Sequence, residues 1–174
     1  MSKTVGGSVE FPVSVDHVLA AFADENYWVA RMSAFGGGSA LDAMVVDDDG
    51  TIRVSVVQDL THLLPALMAK RYPMDFMVVR TETWQRIDGY RVGGQITATV
   101  EGAPAAGDGT ALLVPSGDGS RLDFVAAVEF KVPLVGGRVE SYLASQLDDG
   151  IQEIQRFTTR WIAEQAFRSH EAPG

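Results

Sequence analysis

Residues Gly136 to Phe167 constrain this chain more than any other stretch. Val139, Leu143, Leu147, Ile151, Ile154, Thr158 and Trp161 recur there at steps of three or four, which sets them on one stripe of a long helix. A stripe of that length needs a broad concave surface to cover it. The segments before it read as antiparallel strands, apart from two short helices after the first strand. The expected fold class is therefore α+β, a curved antiparallel β-sheet of about 6–7 strands wrapped around a long C-terminal helix. A sheet bent around a helix leaves a space between the two, and function is expected in that space.

Alternation of Val9, Phe11 and Val13 marks the first strand, from Val9 to Val13. Ser14 suits a helix N-cap with Asp16 in the first turn, and Val18, Leu19 and Phe22 form the apolar face that follows. Asp24 caps a second short helix carrying Tyr27, Trp28 and Met32, which ends before Gly36-Gly37-Gly38. Three hairpins come next. Ser39 to Val46 and Ile52 to Gln58 flank Asp49-Gly50. Met74 to Ile87 and Tyr90 to Glu101 flank Asp88-Gly89. Thr110 to Val114 and Arg121 to Val132 flank a turn containing Gly117-Asp118-Gly119, and Gly102 to Gly109 is expected to be a loop. No repeat or linker divides the chain, so residues 1–174 are expected to form a single domain with flexible ends at about 1–4 and 169–174.

A two-residue Asp88-Gly89 loop sets Ile87 opposite Tyr90 and Gln85 opposite Val92. Tyr90, Val92, Ile96, Ala98 and Val100 are the apolar face of the later strand. Their partners on the earlier strand, Met77, Val79, Thr81, Thr83 and Gln85, then also point inward. On this reading Arg80, Glu82 and Trp84 face outward, with Trp84 covering Gly93. A three-residue loop would reverse the parity and turn Arg80 and Glu82 inward as a buried ion pair. Asp-Gly favours the shorter loop. The last strand directs Phe124, Ala126, Val128 and Phe130 inward, and the helix contributes Leu147, Ile151 and Ile154. Together these residues are the expected lining of a cavity. Small side chains at Gly94, Ala98 and Ala126 either admit the helix closely or leave a void.

A formal net charge of −9 argues against nucleic acid and against charge-driven docking on anionic lipid. No apolar run is long enough to span a bilayer, and the N-terminus lacks an apolar signal core, so a cytoplasmic protein without stable membrane insertion is expected. There is no cysteine, hence no thiolate chemistry. His17, His62 and His170 have no partners at metal spacing, so no metal is expected. Asp47-Asp48-Asp49-Gly50 lacks the closing carboxylate of a calcium loop and reads as a solvated turn. Glu140, near the helix start, suits a structural hydrogen bond to free backbone amides. Gly150 interrupts the helix, marking a bend or a close approach by the sheet or a ligand. Between strands, Leu63, Leu64, Leu67 and Met68 form a short apolar segment that reads either as a lid over the cavity mouth or as a helix fixed on the sheet edge.

The order strand, two short helices, strand meander and long helix resembles the START-like superfamily, also called SRPBCC or birch-pollen-allergen-like, with its helix-grip fold. Glu82-Thr83-Trp84 followed by Asp88-Gly89 is similar to the pattern of an actinobacterial family described as domain of unknown function 2505. So are Gly102-Ala103-Pro104 and the junction Val132-Pro133-Leu134-Val135-Gly136-Gly137-Arg138-Val139-Glu140. The superfamily resemblance implies a cavity for hydrophobic ligands such as lipids, sterols or polyketides. The expected function is binding or transport of such a molecule with no cofactor. Two alternatives stay open: a cyclase, aromatase or hydrolase working in the same cavity, and an interaction module acting through the outer sheet face or the Leu60–Met68 segment. A homodimer also stays open.

Overall fold

The computed structural model of this chain describes residues 2–35, 38–59, 77–101, 104–131 and 136–171. Strand β1 (Ser2–Phe11) leads into helices α1 (Val15–Phe22) and α2 (Glu25–Ala34). Strands β2 (Ala40–Val46), β3 (Ile52–Asp59), β4 (Met77–Arg86), β5 (Val92–Val100), β6 (Ala105–Ser116) and β7 (Gly119–Phe130) follow, and helix α3 (Gly136–Glu171) closes the fold. Among the described residues the strands form one seven-stranded sheet in the order β1-β7-β6-β5-β4-β3-β2, and every pairing is antiparallel. The meander runs from β2 to β7, and β1 returns to pair with the last strand. This is the α+β helix-grip fold.

The short helices start where their capping chemistry dictates. Ser14 Oγ accepts the His17 amide at 3.3 Å, and Asp24 Oδ1 accepts the Asn26 amide at 2.9 Å. Val18, Phe22, Tyr27 and Trp28 are buried in the main core, where the Trp28 indole donates to the Phe22 carbonyl at 2.7 Å. Helix α3 packs mainly against β1 and β7. Glu140 Oε1 accepts the Phe130 amide at 3.2 Å and ties the start of α3 to the end of β7.

Four expectations change. Strand β1 begins at Ser2 instead of Val9, because β7 offers it partners along its full length, from Ser2 opposite Glu129 to Phe11 opposite Ser120. Helix α3 reaches Glu171, so regular structure extends into both expected flexible ends. Ala105 to Gly109, expected as loop, lies within β6, held between Ala98 and Val128 at Gly107. Composition misleads at these positions: a glycine is poor in a strand by itself, but neighbours on both sides supply its backbone hydrogen bonds.

The fourth change is the parity of β4. Ile87 donates to the Arg91 carbonyl at 2.9 Å, so Asp88, Gly89 and Tyr90 form a three-residue loop. Asp88 builds the wider turn: Oδ1 accepts the Tyr90 and Arg91 amides at 2.8 and 2.9 Å, and Oδ2 accepts Arg91 Nε at 2.8 Å. Arg80 therefore pairs with Ala98, Glu82 with Ile96 and Trp84 with Gly94. Val78, Arg80, Glu82 and Trp84 face the helices. Met77, Val79, Thr81, Thr83 and Gln85 lie on the opposite face of the sheet, where the Thr81 and Thr97 hydroxyls bond across the strands. Tyr90 stands exposed at the loop tip. Trp84 covers Gly94 from within, so close that a Cβ on that glycine would lie 2.5 Å from the ring.

Candidate ligand-binding site

The register builds the inner surface of the sheet as rows across the strands. One row runs through Ile52, Trp84, Gly94, Ala111 and Phe124, with Val92, Leu113 and Leu122 in a further row beyond it, and towards the other end Val78 pairs with Val100 and Ala105 with Phe130. Both ends carry large side chains. The two rows between them are Val56-Arg80-Ala98-Gly107-Val128 and Val54-Glu82-Ile96-Gly109-Ala126. Ala98 and Gly107 in the first and Gly109 and Ala126 in the second are small, so this part of the inner face is recessed beside Ile96, Arg80 and Glu82.

Buried apolar residues divide the same way. One cluster gathers Phe11, Val18, Phe22, Tyr27, Trp28, Val56, Trp84 and Phe157, with Ile96 and Ile151 against it. A separate cluster holds Val78, Phe130 and Val139, with Ala98, Val100 and Leu143 against it. Leu147 and Ile154 lie between them on the α3 stripe, half-buried and in neither cluster. Gly150 falls in a heptad row between Leu143 and Phe157, on the same side of the helix. A Cβ built on it would meet no heavy atom of the described residues within 4 Å. Of the readings expected at Gly150, a bend or a close approach by the sheet or a ligand, no close approach by a described residue is seen.

Beside the recess lies a buried ionic group. Arg31 of α2 and Glu82 of β4 keep only 5% side-chain exposure each, and Arg80 keeps 18%. Glu82 Oε1 sits 3.1 Å from Arg80 Nε and 3.6 Å from Arg31 Nη2, while Oε2 accepts the Trp84 indole N–H at 2.9 Å. The Arg31 guanidinium stacks 4.9 Å above the Trp28 ring. Burial alone would raise the Glu82 pKa, but the two guanidinium charges and the indole hydrogen bond outweigh it and hold the carboxyl below its ordinary value. Burial lowers the Arg80 pKa, opposed by the Glu82 charge. Tyr27 is pushed up, chiefly by burial. Its hydroxyl lies 2.7 Å from Thr158 Oγ1, which itself donates to the Ile154 carbonyl at 2.7 Å. A hydroxyl has one proton to give, so Tyr27 is the donor to Thr158.

Ile96, Ala98, Ala126 and Val128 lie on the inner face of the sheet and Leu147, Ile151 and Ile154 on the α3 stripe, all of them half-buried. Val92 is fully enclosed in the first cluster, while Phe124 and Phe130 are buried. Leu63, Leu64, Leu67, Met68 and His62 lie outside the described residues. Arg31 gave no sequence signal, because a cation inside a short helix normally marks its solvent side. The signal for Arg80 and Glu82 lay in the loop length alone. Asp49 accepts the Thr51 amide at 2.9 Å, as a turn residue does.

No helix among the described residues is long and apolar enough to cross a membrane. Two uncharacterised proteins, of Mycobacterium bovis and Mycobacterium tuberculosis, are each 32% identical to this chain over 170 residues, covering 93% of it and 98% of their own length. Protein TTHA0849 of Thermus thermophilus superposes with a TM-score of 0.59 at 13% identity, over 94% of this chain and 99% of that one. Ara h 8.0201 superposes with a TM-score of 0.54 at 11% identity, with the same two coverages of 94% and 99%. These two structures share the fold of this chain. The model of the family described as "Protein of unknown function (DUF2505)" matches residues 7–162, and the chain belongs to that family.

Proposed function

We propose that this protein binds a hydrophobic small molecule, lipid- or polyketide-like, between the middle of its sheet and α3, without chemically changing it. The fold is of a kind that binds ligands in general, and that is the background to the reading. One observation supports it: the described apolar residues fall into two buried clusters, and the sheet rows between them carry the small residues Ala98, Gly107, Gly109 and Ala126. Interiors normally pack as densely as organic crystals, so a recess in those rows favours an apolar guest. Ile96, Val128, Leu147 and Ile154 would line it.

Acid–base catalysis at the same site is the weaker reading. A general acid or base works best with a pKa near the operating pH. Here the carboxyl is shifted down and the phenol up, both away from neutrality.

Titration of the full chain with the neutral fluorophore N-phenylnaphthylamine tests the proposal. Saturable enhancement is expected, weakened by about tenfold or more in Gly150→Leu, whose side chain would enter the space between sheet and α3. Leucine favours helix over glycine, so the variant keeps α3. Absence of saturable binding, or equal binding by the variant, would overturn the proposal.

A further inference from the structure

We infer that the molecule bound in this space carries an anionic head group, a carboxylate, received by Arg80 with Arg31 behind it. The inference rests on the binding reading above and adds the chemistry of one end of the ligand. Two guanidinium groups share one buried carboxylate, Glu82, which leaves one positive charge inside the protein without a counter-charge among the contacts of the described residues. Buried charges are normally paired, since leaving water costs each ion several kcal/mol. The donors are unsatisfied as well: Arg31 Nε, Arg80 Nε and Arg80 Nη2 are closed off from solvent and have no hydrogen-bond acceptor among the described residues. Arg80 Nε is near Glu82 Oε1 at 3.1 Å, but its N–H is not directed at that oxygen.

Position makes Arg80 the receiving group. It lies in the row Val56-Arg80-Ala98-Gly107, between Val56 of the first apolar cluster and Ala98 of the second. It is also the most exposed of the three charged residues, at 18% against 5% for the others. Arg31 is fixed by Trp28 and Glu82 and cannot reach outward. It contributes charge from behind. A planar carboxylate matches the guanidinium fork, and a small shift of Arg80 would direct its free donors to such a group. The apolar tail would then run along Ala98, Gly109 and Gly150.

Isothermal titration calorimetry of the full chain with dodecanoate and with dodecanol, which share a tail and differ in head group, tests this. Wild type is expected to bind dodecanoate at least about tenfold more tightly than dodecanol. In Arg80→Met that ratio is expected to fall towards one, and Arg80→Lys, which keeps the charge, to retain an intermediate ratio. A wild-type ratio near one overturns the carboxylate assignment and leaves the binding proposal standing. So does a ratio unchanged in a folded Arg80→Met. If neither compound binds wild type, both fall. The wild-type comparison and Arg80→Lys keep the test decisive if Arg80→Met does not fold.

Discussion

Glu82 is the residue on which the interior electrostatics turn. Among the described residues it is the one carboxylate in contact with both Arg31 and Arg80, and its second oxygen holds the Trp84 indole. Glu82→Gln would leave two buried guanidinium groups facing each other without an anion. The expected loss is about 3–5 kcal/mol of unfolding free energy, read from urea denaturation at neutral pH. Protonation should act in the same direction. The folded pKa lies below the ordinary 4.5, so in acid the unfolded chain binds the proton first. This contribution to stability is complete above the ordinary carboxylate range and is lost as pH falls through that range towards the depressed folded value. Wild type should therefore lose stability with a steeper slope than Glu82→Gln below pH of about 4.5. Equal slopes would mean that Glu82 is not held by the two arginines. Tyr27 offers a second test. Thr158→Val removes its acceptor in the core and should cost about 1–3 kcal/mol by the same denaturation assay.

At the scale of elements, the turn after β4 decides which face of that strand is inside. Trp84 covers Gly94 and not Gly93. Gly94→Ala would drive a methyl group into the indole ring and should cost about 1–3 kcal/mol. Gly93→Ala meets only the flexible end of Ile87, 3.1 Å away, and should cost less. A larger loss for Gly93→Ala would restore the two-residue turn. This point also shows how much of the protein was legible in its residues. The α3 stripe, the Ser14 and Asp24 caps and the inward faces of β5 and β7 followed from periodicity, because a half-buried element repeats its apolar residues. Parity of β4 did not follow. Its sequence Arg-Thr-Glu-Thr-Trp-Gln places polar groups on both faces, so only the loop length could fix it, and the Asp88 side chain fixes that length in three dimensions. Arg31 was hidden for a related reason: its counter-charge lies on a strand far along the chain.

Across the whole molecule, the described apolar residues form two buried clusters, and small residues lie on the sheet rows between them. This arrangement carries the proposed function, and its cationic edge carries the inferred head-group preference. At Gly150 the usual cost of a helical glycine, about 1 kcal/mol against alanine, brings no packing in return among the described residues. A crystal of the protein pressurised with xenon tests the central claim most directly, because dry apolar cavities take up that atom. The account predicts xenon density bounded by Ala98, Gly107, Gly109 and Gly150. Side chains filling that interval, with no xenon bound in it, would contradict it.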